Sequence, residues 1–353
     1  MSAMDSSTIA RIKLGDRFIG PSEPVYVIAE IGSNHRQDLQ LAKELIDAAS
    51  EAGADAAKFQ SLKFDALYLE DRTTPEFREF FRQIELSEAW YGELAEHCRK
   101  RNIHFLSAPT YPDAVALLLR QQVPAFKIAS AQFHLYPEVV AAAAATGRPM
   151  FMSTGISGYS EIDATLRLCR EQGNHNLVLL HCVSQYPTPA DQTNLRLIDT
   201  YRRAFGCLTG FSDHSLGIHM PCAAVALGAV VIEKHITLDR SAPGPDHHFA
   251  IEPTEFTAMV KAVHAVEQGL GDGVRAPLNA EESDFRDAIT FKWIAGKDID
   301  IGEPVTRAHL ELRRAEGGIP RDMLEHLLRH RLRVAKTAGE LLTWKDLDYA
   351  GDI

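Results

Sequence analysis

Two histidines give the first chemical signal in this chain. Each closes a short apolar run, Phe211-Ser212-Asp213-His214 in one case and Val230-Val231-Ile232-Glu233-Lys234-His235 in the other. If both runs are parallel strands, the two imidazoles emerge at the same end of a sheet, with Asp213 and Glu233 beside them. Two imidazoles leave several coordination positions open. That suits a divalent transition metal acting as a Lewis acid on a bound carbonyl, and differs from a closed structural zinc site. The competing reading is a pair of satisfied core or rim histidines.

Two lysines give the second signal. Lys58 and Lys127 lie inside the apolar runs Ala56-Ala57-Lys58-Phe59-Gln60 and Ala125-Phe126-Lys127-Ile128. Lysine is rarely buried unless paired. These two belong either to structural ion pairs with Glu30 or Asp213, or to an anion site for which phosphate is the first choice. Ser130, Ser153, Thr154 and Ser212 offer hydroxyls to such a site, and the Ser153-Thr154-Gly155 turn offers backbone amides. Glu30 ends another apolar run and is either a general acid or base or a lysine partner. The Pro243-Gly244-Pro245 run would hold Asp246 rigidly over a site, or forms a stiff surface loop. Tyr186-Pro187-Thr188-Pro189 reads as a rigid lip. Arg313-Arg314, ahead of Gly317-Gly318, is either charged surface or part of a loop that closes over a substrate.

The elements that must position these residues repeat. After an expected hairpin over residues 9–24, apolar runs begin near residues 25, 56, 104, 125, 149, 177, 211 and 230, and each precedes a helical pattern. Expected helices lie over the Leu39, Ala42, Leu45, Ile46, Ala49 stretch closed by Gly53, near 88–101 and 112–121, in the alanine-rich run ending at Gly147, near 159–172 and 193–204, in a helix-like segment between His214 and Val230, and near 253–269. Continuous apolar strands alternating with amphipathic helices indicate a parallel sheet covered by helices. Eight such units fit a (β/α)8 TIM barrel, whose chemistry sits at the C-terminal ends of its strands. Those expected ends carry Glu30, Lys58, Gln60, Ser107, Lys127, Ser130, Ser153, His181, Ser184, Ser212, His214 and His235. Residues 1–270 therefore read as the barrel with its hairpin, 271–286 as a polar linker, and 287–353 as a small domain. That domain holds an internal repeat, Gly302-Glu303-Pro304-Val305-Thr306 against Gly339-Glu340-Leu341-Leu342-Thr343. Each copy reads as strand, glycine turn, strand and a threonine-capped short helix.

The net charge of -11 argues against nucleic acid or a membrane surface as a partner. Five scattered cysteines without a CxxC pair suggest reduced thiols in a cytoplasmic protein. The start of the chain lacks a signal-peptide pattern, and no apolar run reaches membrane-span length.

The motifs IAEIGSNH (28–35), KFQ (58–60), FKIAS (126–130), MSTG (152–155), LLHCVSQYPTP (179–189), GFSDHS (210–215), IEKHIT (232–237) and PGPDHHFA (243–250) occur in this order. Together they resemble the sialic acid synthases, meaning N-acetylneuraminate synthase and its legionaminic and pseudaminic acid relatives. The resemblance covers nearly the whole chain, and the tail looks like that family's antifreeze-like (SAF) domain. It implies condensation of phosphoenolpyruvate with a 2-acetamido hexose to a nine-carbon 2-keto acid, with phosphate lost by C–O cleavage. It implies a divalent metal, manganese first with magnesium or cobalt as alternatives, on His214 and His235. It assigns Lys58, Lys127, Ser130, Ser153, Ser184 and Ser212 to phosphoenolpyruvate, and Gln60, Tyr186 and Asp246 to the sugar. Glu30 matches the catalytic glutamate, and Gln132 and Asp246 join it as catalytic candidates. Arg314 matches an arginine that enters the partner subunit's site, which implies a domain-swapped homodimer. The chain departs from the pattern at Gln132, where many members have glutamate, at Ala108, where some have threonine, and at Arg314-Ala315-Glu316, where Arg-Pro-Gly is common. The alternatives are condensation with a different aldose, phosphorylated or not, and a non-catalytic sugar- or phosphate-binding protein.

Overall fold

A computed structural model describes residues 11–348. Residues 1–10, which include the start of the expected hairpin, and 349–353, the end of the expected small domain, lie outside the described residues. The chain divides into two compact units between Asp272 and Gly273.

In the first unit, eight parallel strands form one sheet: β1 (Tyr26–Gly32), β2 (Ala56–Ser61), β3 (His104–Pro109), β4 (Phe126–Ile128), β5 (Met150–Ser153), β6 (Leu177–Cys182), β7 (Leu208–Asp213) and β8 (Val231–His235). Neighbours pair in chain order and β8 pairs back onto β1. Only β3 and β4 lack a ladder between them, so the barrel is nearly closed. Eight principal helices cover it: α1 (Leu39–Glu51), α2 (Tyr91–Lys100), α3 (Pro112–Arg120), α4 (Pro137–Ala144), α5 (Tyr159–Glu171), α6 (Leu197–Phe205), α7 (His219–Ala226) and α8 (Pro253–Leu270). The insertion after β2 adds a further helix at Pro75–Ile84, started by Pro75 and capped by the Thr74 hydroxyl, which accepts from the Phe77 amide.

Strand residues alternate between two cores. Val27, Ala29, Phe59, Phe105, Met152, Leu179, Phe211 and Ile232 face the helices. Tyr26, Ile28, Ala56, Leu106, Phe151, Val178, Leu180 and Val231 fill the barrel interior. Ile12, Leu14 and Ile19 join that inner cluster from the antiparallel hairpin Ile12–Leu14/Arg17–Ile19, which turns at Gly15 as expected. The lower barrel is therefore a packed apolar plug, and polar side chains can enter only above it.

The second unit has its own core, built on Trp293, Ile299, Val305, Leu310, Ile319, Leu332, Leu342 and Leu347. The segment read as a linker contains a helix at Ala280–Ile289 with an Asn279/Glu282 capping box. Polarity suggested a linker here, but an exposed capped helix is equally polar. Strands β9 (Phe291–Ala295) and β10 (Leu310–Arg314) pair antiparallel, as do β11 (Arg331–Leu332) and β12 (Leu347–Asp348). Both repeat threonines form capping boxes over short 3-10 turns, Thr306 with His309 and Thr343 with Asp346. A strand follows each turn, a feature the repeat did not reveal. No helix among the described residues is long and apolar enough to cross a membrane.

Candidate active site

Register and alternation assemble the site. Glu30 on β1 pairs with Lys58 on β2 and with His235 on β8, so one level of the barrel carries a carboxylate, a lysine and an imidazole. Ser212 on β7 pairs with Cys182 on β6 and Glu233 on β8. Just past Glu30 the register slips, so that Gly32 pairs with Phe59. Such a bulge re-aims the chain beside a functional residue. The side chains converge on a cavity of about 180 Å³ lined by Glu30, Lys58, Gln60, Lys127, Ser130, Ser153, Cys182, Tyr186, Ser212, His214, Glu233, His235 and Asp246.

Its floor is a buried chain of charges. Lys58 Nζ lies 2.7 Å from Glu30 Oε2 and 3.6 Å from Glu233 Oε2, and Lys127 Nζ lies 3.3 Å from Glu233 Oε1. Ser212 donates to Glu233 Oε1 at 2.9 Å, and Gln60 Nε2 donates to Glu30 Oε1 at 2.8 Å. Burial raises the Glu30 carboxyl, helped by the charge of Glu233 and opposed by Lys58. Burial also pushes the Glu233 carboxyl upward, but Lys127 and Lys58 override it and hold the group well below the usual carboxylate range. Lys127 is lowered by burial, with Glu233 opposing. Similar groups thus divide into a carboxyl that can carry a proton and one that stays ionised.

The two imidazoles stand with ring centroids 5.4 Å apart. Burial lowers both to about 4, so both are neutral near pH 7. His214 Nδ1 sits 3.0 Å from the Val183 carbonyl, which places its proton there and leaves the Nε2 lone pair free. His235 Nδ1 is buried without a hydrogen-bond partner among the described residues. Behind them, on the outward positions of β7 and β8, Lys234 Nζ donates to Asp213 Oδ2 at 2.6 Å, and both residues are buried. Asp213 is therefore the partner of Lys234 and not of Lys58 or Lys127, because it points out of the barrel where Ser212 points in.

The rim is held by close approaches. Ser33 donates from both its amide (3.2 Å) and its hydroxyl (2.9 Å) to Asp246 Oδ2. Gly32 has φ +56°, and a Cβ there would lie 2.7 Å from the same carboxylate oxygen, so this position needs glycine twice over. A Cβ on Gly155 would fall 2.3 Å from Ser184 Oγ and 2.7 Å from Ser130 Oγ, which places both hydroxyls around one glycine at the end of MSTG. Tyr186 packs on His214 with ring centroids 4.3 Å apart, and Phe249 packs on His235 at 4.8 Å.

Most of the residues chosen from sequence therefore meet, but three of the expected strand-end residues, Ser107, His181 and Ser184, lie outside the cavity lining; Ser184 is exposed and its hydroxyl stands beside Gly155. Ser107 bonds to Ser61, Oγ to Oγ at 2.8 Å, between strands and helices. His181 turns outward against the Thr193 carbonyl and stacks on Phe211. Both sit on the outward phase of their strands, with Ala108 and Cys182 on the inward phase. Gln132 is buried on the helical turn that begins at Ser130, and its Oε1 has no hydrogen-bond partner among the described residues. Arg314 belongs to the second unit, at the end of β10, with its guanidinium 5.4 Å from the Phe291 ring centroid. Three residues of the site were not foreseen from sequence: Glu233 as the bridge between the lysines, Cys182 in the lining, and Ser33 as the holder of Asp246. Counting two residues back from His235 on its strand would have found Glu233.

Fold and site together define a barrel enzyme that presents paired ammonium groups and neutral imidazoles at its strand ends. Residues 45–275 match the NeuB family and residues 294–348 the SAF domain, and the chain belongs to the NeuB family. It is 35% identical over 315 residues to the N,N'-diacetyllegionaminic acid synthase of Campylobacter jejuni, covering 86% of this chain and 94% of that one. It is 36% identical over 276 residues to the N-acetylneuraminate-9-phosphate synthase of Homo sapiens, covering 75% and 76%. Among solved structures, it resembles an N-acetylneuraminic acid synthetase from Leptospira borgpetersenii with a TM-score of 0.73 and 34% identity, over 79% of this chain and 97% of that one. The spore coat polysaccharide biosynthesis protein SpsE of Bacillus subtilis matches with a TM-score of 0.68 and 32% identity, over 96% and 99%. The chain is an enzyme of this carbon–carbon bond-forming synthase family.

Proposed function

We propose that this enzyme condenses phosphoenolpyruvate with a 2-acylamino hexose to give a nine-carbon 2-keto acid and phosphate. The observation that carries the reading is the union, in one small cavity, of Lys58 and Lys127 with His214 and His235. Phosphoenolpyruvate would lie along the lysines, with the hydroxyls of Ser130, Ser153, Ser184 and Ser212 around it. Its C3 attacks the aldehyde carbon of the open-chain sugar. Cationic character develops at C2, water adds there, and the tetrahedral carbon expels phosphate with the bridging oxygen. The fixed ammonium groups stabilise charge already placed, without reorganisation during the step. Glu30, its carboxyl raised, is suited to exchange a proton with the reacting oxygens or the entering water. Asp246, Gln60 and Tyr186 are positioned to contact the sugar from the rim.

His214 and His235 fit a divalent cation: both are buried and neutral, one Nε2 is free and one Nδ1 has no partner among the described residues. Among the described residues no group of three or more His, Cys, Asp or Glu could hold a metal, so most of the coordination sphere would remain for substrate. Such an ion, manganese first, would supply Lewis-acid polarisation of the aldehyde oxygen. Gln132 cannot ionise, so we give it hydrogen bonding to substrate in place of acid–base work. We further propose that Arg314 acts on the sugar in the partner subunit of a homodimer; the SAF domain that carries it supports this. The cysteines, all free, support a reducing cytoplasmic setting.

The test is a phosphate-release assay. Release should need phosphoenolpyruvate, an acylamino hexose and Mn2+ together; equal release from chelated and Mn2+-loaded enzyme would refute the metal role. Coexpressed chains, one Arg314→Ala and one His235→Ala, should recover activity that neither homodimer has. No recovery would remove the action in trans.

A further inference from the structure

The second unit carries a pair of histidines that the synthase chemistry does not use. His326 and His330 lie four residues apart, on the helical turn Leu324–Leu327 and its continuation. There the Leu328 amide donates to the Leu324 carbonyl and the His330 amide to the Leu327 carbonyl. Side chains four apart on a helical turn are neighbours on one face. Here the two rings meet, with centroids 4.8 Å apart and Nε2 standing 3.3 Å from Nε2.

The turn that holds them is anchored. Leu327 is fully buried and joins Leu332 and Leu347 in the core of this unit. Trp344, on the capped turn of the second repeat, meets the His326 ring edge-on with centroids 5.5 Å apart. His330 Nδ1 stands 2.8 Å from the Asp348 carbonyl on β12. A carbonyl oxygen only accepts, so Nδ1 carries the proton of the neutral ring and Nε2 carries its lone pair. Histidines that bind metals are commonly backed in this way, the second ring nitrogen donating to a carbonyl that fixes tautomer and orientation.

The spacing of the nitrogens selects the ion. Two imidazoles on one tetrahedral Zn2+, with bonds of about 2.0–2.1 Å, place their nitrogens about 3.3–3.4 Å apart. A square-planar ion with the same bond lengths would draw neighbouring nitrogens to about 2.8–3.0 Å. The observed 3.3 Å fits the tetrahedral case. The competing account is a hydrogen bond from His326 Nε2–H to His330 Nε2, which would be indifferent to zinc. We infer that His326 and His330 form a two-histidine site for Zn2+ in the SAF domain. Among the described residues no group of three or more His, Cys, Asp or Glu could hold a metal, so water or a small ligand takes the other two positions. Two protein ligands hold the ion far more weakly than four, and a Kd on the order of 10 µM is expected. The site uses a different histidine pair from the barrel's His214 and His235 and does not rest on the synthase reading.

Equilibrium dialysis of the full-length chain tests it, with free Zn2+ about tenfold above that Kd and zinc measured on both sides. The unaltered chain should hold one Zn2+ more per chain than His326→Gln, whose side chain is exposed in the parent. The same difference of one should separate His214→Gln from His214→Gln/His326→Gln, because the barrel histidines are a separate site. His326→Glu, which supplies a carboxylate oxygen as a replacement donor, should keep the ion at least in part. Equal uptake by the unaltered chain and His326→Gln would overturn the site and leave the contact as a hydrogen bond between imidazoles. A difference that vanishes in the His214→Gln background would overturn it as well. So would a loss with glutamate as complete as with glutamine, which would mark disturbed structure and not a missing ligand.

Discussion

Glu233 shows how much a single buried carboxylate can decide. It stands between Lys58 and Lys127 and accepts from Ser212. Lys127 is pulled toward its neutral form by burial and kept charged by Glu233. The sign of the pH effect follows. Anion binding at Lys127 needs the ammonium, so kcat/KM for phosphoenolpyruvate should fall on the alkaline side as Lys127 loses its proton. Glu233→Gln removes the charge that opposes this loss, and the alkaline limb should move to lower pH. An unmoved limb in a pH–rate profile would mean that Lys127 does not hold the anion. Gly155 gives a second prediction at this scale. Gly155→Ala would force apart the Ser130 and Ser184 hydroxyls, so KM for phosphoenolpyruvate should rise about tenfold or more, as expected for loss of well-placed hydrogen bonds. The thermal midpoint should change little, because the clash is with side-chain hydroxyls at the cavity. An unchanged KM would argue that those hydroxyls do not face the anion.

At the scale of elements, the strand rhythm was legible because both faces of each barrel strand are apolar below the rim. That same feature hides the inward phase. Ser107 and His181 look like rim residues until the alternation is counted from Lys58 or Cys182, and then they fall on the helix side. The Pro75–Ile84 helix was missed because it lies in an insertion that belongs to no repeat, although Thr74-Pro75 announces its start. The pairing of Lys234 with Asp213 ties β8 to β7 directly behind both histidines. Removing one partner of a buried pair leaves the other charge uncompensated, at a cost of about 3–5 kcal/mol. Lys234→Met should therefore destabilise the barrel by about that much in urea unfolding, and Asp213→Asn added to it should recover part of the loss. Additive losses would show that the two residues are not energetically coupled.

At the scale of the whole molecule, the barrel keeps three buried histidines neutral. Burial lowers His35, His214 and His235 each to about 4. Their folded values lie below the unfolded one, so the unfolded chain binds more protons in the window from about pH 6.5 down to about pH 4. Stability should fall as pH drops through that window, by at most about 1.4 kcal/mol for each histidine per pH step of one. His35 lies outside the cavity lining, against Phe59 and Trp90, so it separates this effect from catalysis. In metal-free protein the urea midpoint should decline from about pH 7 to about pH 4.5, and His35→Phe should make the decline shallower. Identical slopes would show that His35 titrates normally. The division into a barrel and a small domain with its own core was also readable from sequence, through the change from eight β/α units to a short repeat. The exact sugar was not readable from the sequence.

In the reaction we propose, phosphoenolpyruvate joins an acylamino hexose and loses its phosphate by C–O cleavage. Phosphoenolpyruvate labelled with 18O at the bridging position tests it directly, with mass spectrometry of both products. The expected result is one 18O in each inorganic phosphate released, none from the label in the nine-carbon keto acid, and release that depends on the sugar. Label retained in the organic product, or phosphate released equally without sugar, would contradict it.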